Sequence, residues 1–271
     1  MSQDVLFHKL YRHPTSSEWV VFVHGAGGSS SVWFKQIRAY REHFNIVLLD
    51  LRGHGRSNNM LKRLVTQPYT FNTVTKDILH LLDHLKIERA HFVGISMGTI
   101  IIRVLAEMAP DRVETMIMGG AVTRLTTRSQ VLVNIGNFLK NVVPYMWLYS
   151  LFAFIVMPQK SQKESRNLFI GEARKLCTEE FKRWFRLTAE VNPIMKYFRE
   201  REIGIPTLYL MGGNDFMFIQ PVREMVARHR NSYLTLFENC GHVCNVERPD
   251  EFNEHSISFI YQRKPLARQA A

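Results

Sequence analysis

The chain has 271 residues, enough for one large domain or a domain with an insertion and a full core, and its 46% hydrophobic and 22% charged content is ordinary for a soluble globular protein. Its net charge of +11 at pH 7 would suit nucleic acid, an anionic surface or an acidic substrate, yet no run of five like charges and no nucleic-acid signature goes with it. The opening MSQDVLFHKLYRHP does not read as a secretory leader, and three irregularly placed cysteines, Cys177, Cys240 and Cys244, do not make a disulfide framework, so the expected location is the reducing cytoplasm.

Apolar runs bounded by turn residues mark six strands, at Glu18–His24, Asn45–Leu51, Ala90–Ile95, Val113–Gly119, Ile205–Met211 and Ser232–Phe237. Runs apolar on both sides suit a parallel sheet covered by helices. Helical spacing fills the gaps at Ser29–Glu42, Val74–Leu85, Met97–Met108, Pro221–Arg230 and Asp250–Tyr261. The alternation predicts an α/β fold with a mostly parallel central sheet and helices on both faces.

Between about Thr123 and Arg201 the strand rhythm stops, with helical patterns only, and it resumes at Ile205. Strands on either side make this an insertion, so the expected organisation is a core of residues 1–122 and 203–271 with a helical cap at 123–202. From Ala121 to Glu202 there are fourteen Lys or Arg against seven Asp or Glu. Within it Val142–Met157 is almost wholly apolar but shorter than the roughly 20 residues that span a bilayer. It reads first as a lid helix over a pocket, with weak contact to a membrane surface and a spanning segment as the alternatives. The aromatic and Met residues Met146, Trp147, Phe152, Phe154 and Trp184 read mainly as packing, some of them facing substrate.

The chemistry centres on Gly94-Ile95-Ser96-Met97-Gly98, which fits G-x-S-x-G between a buried strand and an amphipathic helix. A tight strand-to-helix turn there projects the Ser96 hydroxyl beside the positive end of a helix. A serine hydroxyl needs a base to attack at neutral pH. His242, in the Gly-flanked loop after the last strand, lies at the carboxyl edge where open α/β sheets place their sites. Asp215, in Gly212-Gly213-Asn214-Asp215, is placed to orient the imidazole, with Glu238 as its surrogate. The loop His24-Gly25-Ala26-Gly27-Gly28 suits donors to an oxyanion, supplied by the amides of Ala26 and Met97. It lacks the Lys-Ser/Thr ending of a phosphate loop. Cys240-Gly241-His242-Val243-Cys244 has too few ligands for a structural zinc site and would occupy the proposed base.

In chain order, HGAGG, DLRGHGRS (Asp50–Ser57), GISMG, GGND and NCGHVCNVERPDEF resemble the α/β-hydrolase superfamily, above all its lid-bearing esterases, lactonases and carbon–carbon bond hydrolases. The resemblance covers the chain outside the insertion. It implies Ser96 as nucleophile, Asp215 as acid, His242 as base, and Ala26 and Met97 as oxyanion amides. A serine at the elbow disfavours the related dehalogenases and epoxide hydrolases, which use a carboxylate there. Arg52, His54 and Arg56 read as loop formers, and Thr99, where glycine is common, as a change in packing.

The expected activity is hydrolysis of an ester or related acyl bond on a small-molecule substrate with an apolar part, with no metal or organic cofactor called for. Lactonase, thioesterase and carbon–carbon hydrolase chemistry share the same groups, as does acyl transfer to an acceptor other than water. A non-catalytic ligand receptor is the reading from another class.

Overall fold

A computed structural model of the protein describes residues 5–60 and 69–263. The first four residues of the opening stretch, residues 61–68 and the last eight residues assigned above to the core lie outside the described residues.

Seven strands form one sheet: β1 (His8–Tyr11), β2 (Trp19–Val23), β3 (Asn45–Leu49), β4 (Ala90–Ile95), β5 (Val113–Gly119), β6 (Thr207–Gly212) and β7 (Ser232–Phe237). Their spatial order is β1-β3-β2-β4-β5-β6-β7. The edge strand β1 is antiparallel to β3, and the other pairs are parallel. This is the mostly parallel α/β sheet that the apolar runs predict.

Alternate residues of each central strand enter two separate cores. Val21, Val23 and Phe92 pack on one face, under α2 (Phe71–His84) and α3 (Met97–Met108), after the short α1 (Ile37–Arg41). Val20, Phe22, Val93 and Ile95 enter the other core, with Trp33 and Tyr40. Both faces being dry, the strands read as continuous apolar runs and not as alternating ones.

Five helices lie between β5 and β6 with no strand among them: α4 (Thr127–Leu139), α5 (Tyr145–Val156), α6 (Lys163–Ala173), α7 (Thr178–Arg186) and α8 (Thr188–Glu200). The apolar run Val142–Met157 becomes the 12-residue α5, which begins after Pro144. No described helix is long and apolar enough to cross a membrane. The chain then adds α9 (Ile219–Val226), the one-turn α10 (Cys244–Glu247) and α11 (Pro249–Gln262).

Four expectations are corrected. β1 was not foreseen, because His8 and Lys9 break its apolar signal; pairing with β3 makes it a strand, and a charged edge resists further pairing. The Ser29–Glu42 pattern is not one helix but a 3₁₀ turn at Ser30–Trp33 followed by α1. The strand expected from Ile205 starts at Thr207, since Pro206 has no N–H to donate and contributes only its carbonyl, to the amide of Met116. Helix α2 starts three residues early for a local reason. Thr70 and Thr73 cap each other, amide to hydroxyl, at 3.1 and 2.9 Å.

Candidate active site

Ser96 lies between β4 and α3 with φ 53° and ψ −124°, a conformation that side chains rarely adopt. The turn is held from both sides. The amide of Ser96 donates to the carbonyl of Gly119 at 3.0 Å, and the hydroxyl of Thr99 donates to the carbonyl of Ser96 at 2.6 Å. Thr99 therefore does more than pack: its Oγ1 also accepts from the amide of Val122 at 3.4 Å, which ties the turn to the chain after β5. Gly98 is required by close approach, since a Cβ there would run into the carbonyl oxygen of Val23.

The loop after β6 carries Asp215 and the loop after β7 carries His242, at the same carboxyl edge as Ser96. His242 Nδ1 lies 2.8 Å from Asp215 Oδ2, and Nε2 lies 2.9 Å from Ser96 Oγ. The carboxylate oxygen accepts, so the imidazole proton sits on Nδ1 and Nε2 is left to accept from the Ser96 hydroxyl. Asp215 is 1% exposed and His242 5%, which keeps this chain of hydrogen bonds out of bulk water. The ring of Phe218 packs 5.0 Å from that of His242. Glu238, the surrogate acid, is exposed, and only its backbone carbonyl is engaged, by Arg248. Glu247 instead supports the His242 loop by accepting from the amide of Gly241 at 2.7 Å. Burial holds the Cys240 and Cys244 thiols protonated, and both donate to backbone carbonyls.

Opposite Ser96 stands the loop after β2. Among the described residues no protein acceptor takes the amide of Ala26 or of Met97. The peptide that follows Ala26 is held at both polar ends. Its carbonyl accepts from the phenol of Tyr149 at 3.1 Å, and its N–H, on Gly27, donates to His54 Nε2 at 3.0 Å. His54 in turn donates from Nδ1 to the carbonyl of Arg52 at 3.1 Å. Burial, and then the neighbouring His24, pushes the His54 pKa well below the usual imidazole range, which keeps Nε2 an acceptor. His24 is also lowered, by burial; it accepts from the amide of Leu51 and donates to the carbonyl of Gly25.

Side chains of α5 and α7 close over this loop. Trp184 packs its ring 4.7 Å from that of His54 and donates to the carbonyl of Arg52 at 3.1 Å. Between them and the core lies a cavity of about 180 Å³, walled by Ala26, Gly27 and Met97 on one side. Val133, Phe152, Phe181 and Phe185 line the other. Of the five aromatic and Met residues singled out in the insertion, Phe152 and Trp184 reach the cavity, while Trp147 and Phe154 face solvent. Tyr149 and His54 are the residues that sequence reasoning missed. A tyrosine in an apolar helix carries no signal of its partner, and the DLRGHGRS run marked His54 only as a loop former.

The chain matches the family described as the Alpha/beta hydrolase family over residues 20–255. It is 37% identical to RutD of Caulobacter sp., named as a carbamate hydrolase, over 95% of this chain and 96% of that one. It is 27% identical to 3-oxoadipate enol-lactonase 2 of Acinetobacter baylyi, over 97% of this chain and 95% of that one. Among solved structures it resembles MenH of S. aureus with a TM-score of 0.81 at 19% identity, over 95% of this chain and 99% of that one.

Proposed function

The chain belongs to the alpha/beta hydrolase family, and on that premise we propose that it is a serine hydrolase cleaving an ester or related acyl bond through an acyl-enzyme. The observation that carries the reading is the continuous hydrogen-bonded chain from Ser96 Oγ through His242 to Asp215. In the first step Ser96 Oγ attacks the acyl carbonyl and its proton passes to His242 Nε2. Asp215 holds the ring and stabilises the imidazolium. The carbonyl oxygen, now an anion, takes hydrogen bonds from the amides of Ala26 and Met97. His242 then returns the proton to the departing alcohol. Water, deprotonated by the same nitrogen, attacks the acyl-enzyme and releases the acid and Ser96.

Residues 123–202 serve as a lid in this reading, supported by the contacts of Tyr149 and Trp184 with the loop after β2. The cavity beneath it favours a neutral, apolar group. The phenol of Tyr149, the indole N–H of Trp184 and the hydroxyl of Thr188 along its wall are already spent on backbone carbonyls. A carboxylate placed there would find no side-chain donor. The volume suits a short acyl chain or a single ring, since a cavity of about 150 Å³ takes benzene. A lactone is a cyclic ester and fits the same steps, a second reading favoured by the enol-lactonase relative. Free thiols at Cys177, Cys240 and Cys244 suit a reducing compartment such as the cytoplasm.

Fluorophosphonate labelling of wild type and Ser96→Ala, beside a p-nitrophenyl ester chain-length series, tests the proposal. Labelling and turnover are expected in the wild type alone. Labelling that survives Ser96→Ala would refute the nucleophile, and labelling without turnover of any ester, thioester or lactone would favour a receptor.

A further inference from the structure

Helices α4 and α5 each turn one apolar face to solvent. On α4 and the turn after it, Val131, Ile135, Phe138 and Val142 recur at helical spacing, and all four are exposed. On α5 the exposed set is Trp147, Leu151 and Phe154, again three and four residues apart. Phe138, Val142 and Trp147 leave 81%, 79% and 74% of their surface in water. These are not the faces that close the cavity, for Val133 of α4 and Tyr149 and Phe152 of α5 line it from the inside. Each helix is thus apolar on two sides, a pattern that belongs to buried helices. Seven large apolar side chains left in water on two neighbouring segments mark an interaction site.

The charge around the patch indicates what covers it. From Thr123 to Lys163 the chain has five Lys or Arg and no Asp or Glu; Arg124 is paired with Glu224 at 3.1 Å, whereas Lys160 and Lys163 are exposed. A second copy docked on the same face would bring like charge against like, in a chain already at +11. An anionic lipid surface meets both demands. Basic side chains are drawn to the headgroups, and aromatic and aliphatic ones enter the boundary beneath them. Trp147, 74% exposed, is the residue type favoured at that depth. Val131 continues the face into an apolar groove of about 460 Å³ that reaches Phe216 and Met217, the two residues after Asp215.

We propose that the α4–α5 face docks on the surface of an anionic phospholipid bilayer, without crossing it. The proposal does not depend on the hydrolase reading and stands if that reading fails.

Co-sedimentation of the full chain with vesicles tests it, using phosphatidylcholine alone and phosphatidylcholine mixed with phosphatidylglycerol. Binding is expected to the anionic vesicles, falling about tenfold or more in Phe138→Ser/Trp147→Ser and weakening in Lys160→Glu/Lys163→Glu or at raised salt. Circular dichroism melting checks that the variants fold. Tryptophan emission should shift to the blue on binding, and the shift should shrink in Trp147→Phe. The proposal is overturned if neither vesicle sediments the protein, or if both do so equally. It is also overturned if light scattering shows a dimer that Phe138→Ser/Trp147→Ser dissociates, which would assign the face to a second copy.

Discussion

The phenol of Tyr149, in α5, donates a hydrogen bond to the carbonyl of Ala26, 123 residues earlier in the chain, at 3.1 Å. With His54 on the adjacent N–H, it fixes the peptide after Ala26, while the preceding peptide, which carries the Ala26 N–H, is held at its Gly25 carbonyl by His24 Nδ1 and the amide of Gly28 at 2.8 and 3.1 Å. A helix outside the sheet therefore helps anchor the loop that carries the proposed oxyanion donor.

Tyr149→Phe keeps the ring against Gly27 and removes only the hydroxyl. One neutral hydrogen bond is worth about 1 kcal/mol, so kcat should fall roughly five- to tenfold. KM should barely change, because the donor acts on charge that develops in the transition state. Steady-state kinetics on a short p-nitrophenyl ester would show the split, and a change in KM alone would count against this role.

Asp215→Asn should lower kcat by about 10⁴-fold, since an amide favours the wrong tautomer of the imidazole. Glu238→Gln should leave turnover within about twofold, because its side chain is exposed. The two variants, matched by thermal melting, decide which carboxylate serves His242.

Val133→Phe adds a ring at the wall of the cavity of about 180 Å³. The kcat/KM for longer acyl chains should drop, with a penalty of about 1–3 kcal/mol for each methylene excluded. Acetate ester hydrolysis should be much less affected. A chain-length series on both proteins would reveal the shift.

Acid should destabilise the fold through His24 and His54. Burial lowers both folded pKa values, whereas the unfolded chain binds protons at about 6.5. Between the folded and unfolded values the unfolded state holds more protons, so stability is full above about pH 6.5 and is lost as the pH falls toward the folded values. Melting temperatures from pH 8 down to about pH 5 should show the decline, and His54→Gln should flatten it.

Gly98→Ala should be among the most damaging small substitutions. The added methyl meets the Val23 carbonyl, at a turn whose serine already holds φ 53°. A loss of about 3 kcal/mol or more is expected in urea unfolding.

The six parallel strands and the candidates Ser96, Asp215 and His242 are legible in the sequence. Both signals are local: β-branched runs buried on two faces read as strands wherever they stand, and the tight turns around the site demand glycines next to the residues they present. Strand ends and the charged edge strand β1 were less legible, because pairing with a neighbour, or Pro206 refusing it, decides them. It takes the folded arrangement to show that Nδ1 of His242 faces Asp215 and not Glu238, since both carboxylates stand in loops near the same edge. That arrangement alone disclosed the hold of Tyr149, His54 and Trp184 on the loop after β2. It also decided which side of α4 and α5 closes the cavity and which is left bare. Helices apolar all round carry no sequence record of direction, and contacts between segments more than a hundred residues apart are specified by packing, which no local pattern encodes.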